Sequence, residues 1–290
     1  MLPETATSPR SHLPRPRSRR DLCPGVLRPW PAEDGALVRV RLIGGQVSAA
    51  ALRALSRVSQ EHGDGDLHLT SRANLQLRGL PHEAERLPER VVSAIESTGL
   101  LPSRSHELAR NVMASPATGL GGGRVDLRPI SAELDRLLCA APRLAALGGR
   151  FLFVLDDGRG DLADRAPDLG LVALDDASAQ LRLGSTGWGD TVGIGEAAGA
   201  LVDLAARFLD LRGESVAAAW HVDELDSPLA ASHPRDPRAQ VHREPLPYGP
   251  DHVAAPAGVL APDLVAHLTA PGHDLVVTPW RGVLVPGGAR

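Results

Sequence analysis

The sequence contains no lysine; all 31 basic residues are arginines. A bias this strong is the ordinary mark of a GC-rich genome, yet it also means that any grip on an anion must come from planar guanidinium forks. Only two cysteines occur, Cys23 and Cys139. That excludes a disulfide framework and suits a reducing cytoplasm. Aromatic residues make up 3% of the chain, so the core has to be built mostly from Leu, Val and Ala. There is no run of about 18 apolar residues, and no membrane span or membrane partner is expected. A net charge of −4 leaves no global basic field for nucleic acid. The eleven histidines are scattered without an H-x-x-x-H pair, so no metal site is expected. Gly187-Trp188-Gly189 and Gly193-Ile194-Gly195 fail the G-x-G-x-x-G spacing of a dinucleotide loop and read as hairpin glycines.

What is present is 290 residues with 43% hydrophobic content, enough for two domains or one large one. Residues 1–22 are rich in Pro and Arg and read as a disordered tail. Arg19-Arg20 resembles a twin-arginine signal but lacks the apolar stretch such a signal needs after it. Residues 37–43 alternate apolar and basic, the period of a half-buried strand. Gly44-Gly45 is a turn, and Ser48 caps a helix to about Glu61, with Leu52, Leu55 and Val58 on one face. Strands follow at Leu67–Thr70 and Asn74–Arg78, then a helix over 83–98, giving β-α-β-β-α, most of a ferredoxin-like unit. Further on, Ser131 opens a helix to about Leu147 and Arg150–Leu155 is a strand. Short strands follow at 171–174, 180–183 and 192–194, and a helix runs over 196–211. Residues 226–250, dense in Pro, read as a linker or long loop.

Part of the chain repeats. Asp66-Leu67-His68-Leu69-Thr70 returns 208 residues later as Asp274-Leu275-Val276-Val277-Thr278, and at the same offset Leu75, Leu77 and Gly79 meet Val283, Val285 and Gly287. Gly45 and the helix after it resemble Gly258 and the stretch Asp263–Leu268. Residues 253–290 therefore look like a shrunken second copy of residues 37–80.

Four stretches carry chemistry. In Leu69-Thr70-Ser71-Arg72-Ala73-Asn74-Leu75-Gln76-Leu77-Arg78-Gly79 an Arg sits at a bend, and alternation puts Arg72, Asn74, Gln76 and Arg78 on one face. By spacing alone that is first of all an ordinary solvated face; two guanidiniums and two amides also suit a ligand with several carboxylates. The second stretch is Ala109-Arg110-Asn111-Val112-Met113-Ala114-Ser115-Pro116, either a loop or a close backbone approach. The third is Gly148-Gly149-Arg150-Phe151. The fourth is Thr278-Pro279-Trp280-Arg281-Gly282, the repeat's counterpart of the bend at Arg72, where Trp280 covers a flat ligand or simply packs. Cys139 reads as a buried core thiol on an apolar helix.

Together with Cys23-Pro24-Gly25-Val26-Leu27 and Asp34-Gly35, these stretches resemble the sulfite/nitrite reductase superfamily, and within it the precorrin-3B synthases of cobalamin synthesis. The resemblance is strong over 23–120 and thin between 160 and 245. It implies an α+β fold: two ferredoxin-like half-domains, the second incomplete, flanking a siroheme-reductase-type α/β domain. The expected boundaries are 23–99, 100–225, a linker at 226–250, and 251–290. It implies a siroheme-type tetrapyrrole or precorrin substrate held by cationic side chains. Arg72, Arg110 and Arg150 would be catalytic, and Asn74, Gln76, Arg78, Asn111 and Arg281 would join them in binding the ring. Position 152, where the reductases carry a Lys, is Leu, which counts against delivering protons to sulfite or nitrite. Precorrin-3B synthases instead oxidise a precorrin with molecular oxygen, adding a hydroxyl and closing a lactone. The family also implies a [4Fe–4S] cluster on four thiolates, which Cys23 and Cys139 do not supply. The expectation is a cytoplasmic oxidoreductase truncated before the cluster region, its remainder either lost or encoded nearby as a separate cluster-bearing polypeptide. The alternative is a non-catalytic tetrapyrrole-binding remnant or a truncated sulfite/nitrite reductase-like protein.

Overall fold

The computed structural model describes residues 21–215, 218–239 and 251–287. Its first unit begins with a hairpin of β1 (Trp30–Ala32) and β2 (Gly35–Val40). Along β2 the alternation buries Ala36, Val38 and Val40 and turns Leu37 and Arg39 outward. A 3-10 turn at Ile43–Gly45 leads into the two-residue β3 (Gln46–Val47) and then α1 (Ala49–His62). The Ser48 hydroxyl caps α1 by accepting the Ala51 N–H at 3.1 Å, and Leu52, Leu55 and Val58 form its buried stripe. β4 (Leu67–Leu69) and β5 (Leu75–Leu80) complete the sheet, and α2 (Glu89–Glu96) packs beside α1. The helix expected over 83–98 is shorter than that, because Glu83–Arg86 is a tight turn with Ala84 and Glu85 at positive φ and Pro88 starts the helix.

The central unit contains β6 (Val112–Ala114), α3 (Arg128–Ala140), β7 (Phe153–Asp156), β8 (Leu169–Ala173), β9 (Ser178–Leu183), β10 (Gly187–Gly193) and α4 (Ala197–Arg212). The sheet order is β10-β9-β8-β7-β6, with β6, β7 and β8 parallel and the rest an antiparallel meander. Every residue of β7 and β8 is buried, as parallel strands covered on both faces require. α3 and α4 cover one face around Phe151, Phe153 and Phe208, whose rings lie 4.9–5.3 Å apart. α3 starts one turn before Ser131, whose hydroxyl instead donates to the Leu127 carbonyl. It ends at Ala140, because Pro142 has no N–H to continue it. The first part of the expected linker is docked on the sheet. Gln180 Nε2 donates to the Pro234 carbonyl at 2.9 Å, Asp236 N–H donates to Gln180 Oε1 at 2.8 Å, and Arg235 stacks over Trp188. The remainder of that segment, 240–250, and residues 1–20 of the expected tail lie outside the described residues.

The second copy is β11 (His252–Ala254), β12 (Val259–Leu260), α5 (Pro262–Thr269), β13 (Leu275–Val277) and β14 (Gly282–Leu284). The two copies exchange their shortest strands. β3 pairs antiparallel with β13, and β12 pairs antiparallel with β4. α1 and α5 lie side by side over one shared core that includes Leu52, Leu75, Val91, Val265 and Val277. The turns also match. Thr70 N–H donates to the Asn74 carbonyl at 3.0 Å, and Thr278 N–H to the Gly282 carbonyl at 2.9 Å. Ala73 and Arg281, 208 residues apart, both sit at φ near +57°.

The exchange needs Gly45. Its φ is +76°, and a side chain there would begin 2.2 Å from the Val277 carbonyl oxygen. Gly45→Ala should cost about 3 kcal/mol or more, against about 1 kcal/mol for Gly65→Ala, where φ is also positive but the space is open. Urea unfolding of both variants checks this; a smaller loss at 45 than at 65 contradicts the exchange.

Candidate functional site

The Cys23-Pro24-Gly25-Val26-Leu27 stretch is a turn wrapped around one buried carboxylate. Glu107 accepts the Val26 and Leu27 N–H groups, and a side chain on Gly25 would begin 2.4 Å from its Oε1. Burial pushes the Glu107 carboxyl up, against the pull of these hydrogen bonds and of Arg41. Upstream, the Asp21 carboxylate accepts the N–H groups of Cys23 and Gly149. The segment is thus tied at two points to the central unit, and Asp21, expected within a free tail, is one of the ties.

Beneath this turn lies Arg41, 3% exposed. Its Nη1 donates to the Pro24 carbonyl at 3.5 Å, while Nε and Nη2 are buried with no hydrogen-bond partner. Burial lowers its pKa to about 10, against the favourable field of Glu107, and the charge of Arg39 pushes the same way as burial. Arg39 Nε is likewise buried and unpartnered. Gly149 makes the crossing possible: a side chain there would begin 2.6 Å from Arg41 Nη2 and 2.7 Å from Cys23 Cβ. Burial first, and Asp21 second, raise the Cys23 thiol, so it is a thiol rather than a nucleophilic thiolate.

Arg72 enters from the β4–β5 turn, where Thr70 Oγ1 accepts the Asn74 N–H and Ala73 takes the left-handed conformation. Its Nη1 donates to the Arg150 carbonyl at 3.1 Å, and burial lowers its pKa, with Arg39 and Arg150 adding repulsion. Arg39, Arg41, Arg72 and Arg150 therefore gather around the Gly148-Gly149 bend, and none of the four forms an ion pair among the described residues. Sequence reasoning singled out Arg72 and Arg150 but read residues 37–43 only as a strand. The signal it passed over was Arg39-Val40-Arg41, two cations at alternate positions at the end of β2.

The other expected residues are differently engaged. Asp135 on α3 holds Arg110 in a two-pronged pair at 2.6 and 2.9 Å. Asn74 does not share an open face with Arg72. It is 1% exposed, accepts the Leu42 N–H, and donates to Asn111 Oδ1 at 3.1 Å, while Asn111 donates to the Phe151 carbonyl. These two amides, both buried, join the first unit to the central one. Gln76 lies across β5 from Arg39 and His68 on the outward face. Arg78 approaches Asp34 at 3.4 Å. Arg281 is exposed in the second copy, its stem laid over Gly258. Trp280 packs against Met113, Leu152, Val154 and Leu162. Cys139 is half-buried beside Asp135 and Arg110 rather than in the core.

Asp168 braces the site from behind. Its carboxylate, 1% exposed, accepts the Leu152 N–H at 2.8 Å and the Val222 N–H at 3.1 Å, with His221 Nε2 at 3.8 Å. It thereby fixes the start of β7, next to Arg150, against the segment that carries Trp220.

The fold family implies a tetrapyrrole and an iron–sulfur cluster. The unpartnered guanidinium N–H groups of Arg39 and Arg41 fit an acid-rich ring. The cluster does not fit the described residues. Among them no three His, Cys, Asp or Glu side chains gather as metal ligands, and the two cysteines sit in separate surroundings. No helix among the described residues is long and apolar enough to cross a membrane.

Comparison with known proteins agrees with this architecture. Residues 30–86 match the family described as the nitrite/sulfite reductase ferredoxin-like half domain. Over its matched segments the chain is similar to proteins of the sulfite/nitrite reductase-like superfamily. It is 34% identical over 144 residues to a precorrin-3B synthase from Sinorhizobium sp, a match covering 46% of this chain and 30% of that protein. It is 33% identical over 105 residues to a ferredoxin–nitrite reductase from Leptolyngbya laminosa, covering 35% of this chain and 20% of that one. The matched segments thus span under a third of either relative. The fold is that of the Mycobacterium tuberculosis NirA protein, with a TM-score of 0.63 at 21% identity, over 86% of this chain and 53% of the other.

Burial raises the Asp168 pKa from 3.8 to about 6, the nearby charges of His221 and Arg72 opposing it. The unfolded chain therefore loses this proton first. The contribution to stability is greatest below pH 4, falls as the pH rises toward 6, and is level above. Asp168→Asn removes that slope. Between pH 4.5 and 7.5 the stability difference should move about 2 kcal/mol in favour of the variant, measured by denaturant unfolding at each pH. A pH-independent difference contradicts the buried-carboxyl assignment.

Proposed function

We propose that this chain is a precorrin-3B synthase-like oxidoreductase of tetrapyrrole biosynthesis, or the cluster-less part of one, and that it holds an acid-rich tetrapyrrole. One observation carries the reading: four arginines from three distant stretches gather, and none of them forms an ion pair among the described residues. Gathering like charges at a half-buried site is unfavourable, and the folding free energy has to offset it unless a polyanion arrives. A ring edged with carboxylates supplies that charge and matches the fork geometry of guanidinium.

In this reading Arg72 and Arg150 hold carboxylates at the rim. Arg39 and Arg41 supply field and donors beneath them, and Gln76 extends the outward face beside Arg39. The side chain at position 152 is a leucine packed with Met113, Val154, Leu162 and Trp280, so it supplies no proton of its own for sulfite or nitrite reduction. Oxidation of a precorrin by molecular oxygen makes no such demand at that position. The second reading is a protein that binds the ring without turning it over; the absence of a thiolate set among the described residues favours it.

Binding and turnover separate the possibilities. A charged hydrogen bond contributes roughly 1.5–3 kcal/mol, so Arg72→Ala should weaken binding of an octacarboxylate porphyrin about tenfold or more. Arg41→Gln should do so without loss of fold. Unchanged affinity in both variants, by absorption titration, removes the ring from the site. Turnover of precorrin-3A by the chain alone identifies the enzyme. Turnover only after a cluster-bearing polypeptide is added identifies a split enzyme. Binding without turnover in either case leaves the ring-binding protein.

A further inference from the structure

Behind the Gly148-Gly149 bend lies a cavity of about 300 Å³ whose lining includes Asp21, Arg28, Arg150, Arg212 and Trp220. Three of its side chains are cations and one is an anion. Asp21 is already occupied: it accepts two backbone N–H groups and lies 3.8 Å from Arg28. The cations are not satisfied to the same degree. Arg150 has no hydrogen bond or ion pair from its guanidinium among the described residues; its contact is with the Trp220 ring, 6.0 Å from Cζ to the centroid. Arg212, at the end of α4, donates from Nη2 to the Ala146 carbonyl at 3.1 Å, yet its Nε is buried without a partner. Arg28 donates to the Cys23 carbonyl. The lining thus carries an excess of two positive charges, free N–H groups on separate elements, and one aromatic wall.

The lining is also held in place. Asp168 binds the N–H groups of Leu152 and Val222, two residues beyond Arg150 and Trp220 respectively, so cation and indole are set against each other by one buried carboxylate. A pocket preorganised in this way loses little freedom when a ligand enters.

We infer that this cavity binds a pair of carboxylates, with Arg150 and Arg212 as the two grips, Arg28 at the mouth and Trp220 against the connecting carbons. The volume is at the lower end of small-ligand pockets, which begin at about 300 Å³. It admits a short dicarboxylate, or two acidic arms of a larger ring that itself stays outside. In the second form the inference rests on the tetrapyrrole reading and adds the place where part of the rim is seated. In the first it stands without that reading.

Calorimetry on the full chain, with succinate and with an octacarboxylate porphyrin as probes, tests it. Arg212→Gln should weaken binding at least tenfold, and Arg28→Gln, at an exposed position, severalfold. Succinate binding lost in these variants assigns the pocket to a free dicarboxylate. Porphyrin binding that depends on Arg212, with succinate silent, assigns it to the arms of a ring. Porphyrin binding that depends on Arg72 but not on Arg212 or Arg28, with succinate silent, overturns the pocket and leaves the ring reading intact. Arg212-dependent succinate binding with no porphyrin binding does the reverse. Neither probe binding at all overturns both.

Discussion

Arg41 carries a charge into a place where no carboxylate meets it directly, and much of the molecule is arranged around that fact. The turn at residues 23–27 closes over it and brings the field of Glu107 near, but the hydrogen bonds of Glu107 go to backbone N–H groups rather than to the guanidinium. Gly149 yields the room in which Arg41 Nη2 and Cys23 lie together. An unpaired buried cation is a large liability in the free protein. Its pKa is pulled down to about 10, far above any working pH, so it cannot escape the cost by losing its proton. A liability of this kind persists where something that binds relieves it, and that is the physical sense in which the arrangement points to an anion.

The site could not be assembled from one unit. Arg39, Arg41 and Arg72 come from the first half-domain and Arg150 from the central unit. The Asn74–Asn111 amide pair fixes the distance between them. The strand exchange fixes the first half-domain in turn, because β3 is committed to the second copy's sheet and β12 to the first. A shift of either half would therefore be felt at Arg72 through a chain of backbone hydrogen bonds and one buried amide contact.

The strands and α1 were legible because their signals are local: alternation in residues 37–43, a serine cap, and glycines at the turns. The repeat was legible because two apolar strands and the turn joining them recur at one spacing, and the structure adds that both turns share a left-handed residue. The site was legible only in part. Arg72 and Arg150 stood out by motif, but motif says nothing of competition. Asp135, 25 residues from Arg110, engages that guanidinium through Nε and Nη2, and no local pattern marks the pairing. Asn74 sits on the outward phase of its strand, yet that end of the face is covered by the central unit, so alternation alone assigned it to an open surface. Arg41 was passed over for the opposite reason: strand period makes it an ordinary outward residue until the turn at 23–27 buries it.

The two-fold repeat also sets the two halves apart at the candidate site. At matching positions in the two turns stand Arg72 and Trp280. Arg72 reaches the Arg150 carbonyl at the start of β7, where its charge adds to three others. Trp280 reaches the same strand's Leu152 and Val154 and packs there. One shared turn geometry thus delivers a cation from one half and an indole from the other to the start of β7. A cationic edge beside an apolar wall is the combination that a flat, acid-rimmed molecule requires. The asymmetry between the copies, rather than either copy alone, creates it.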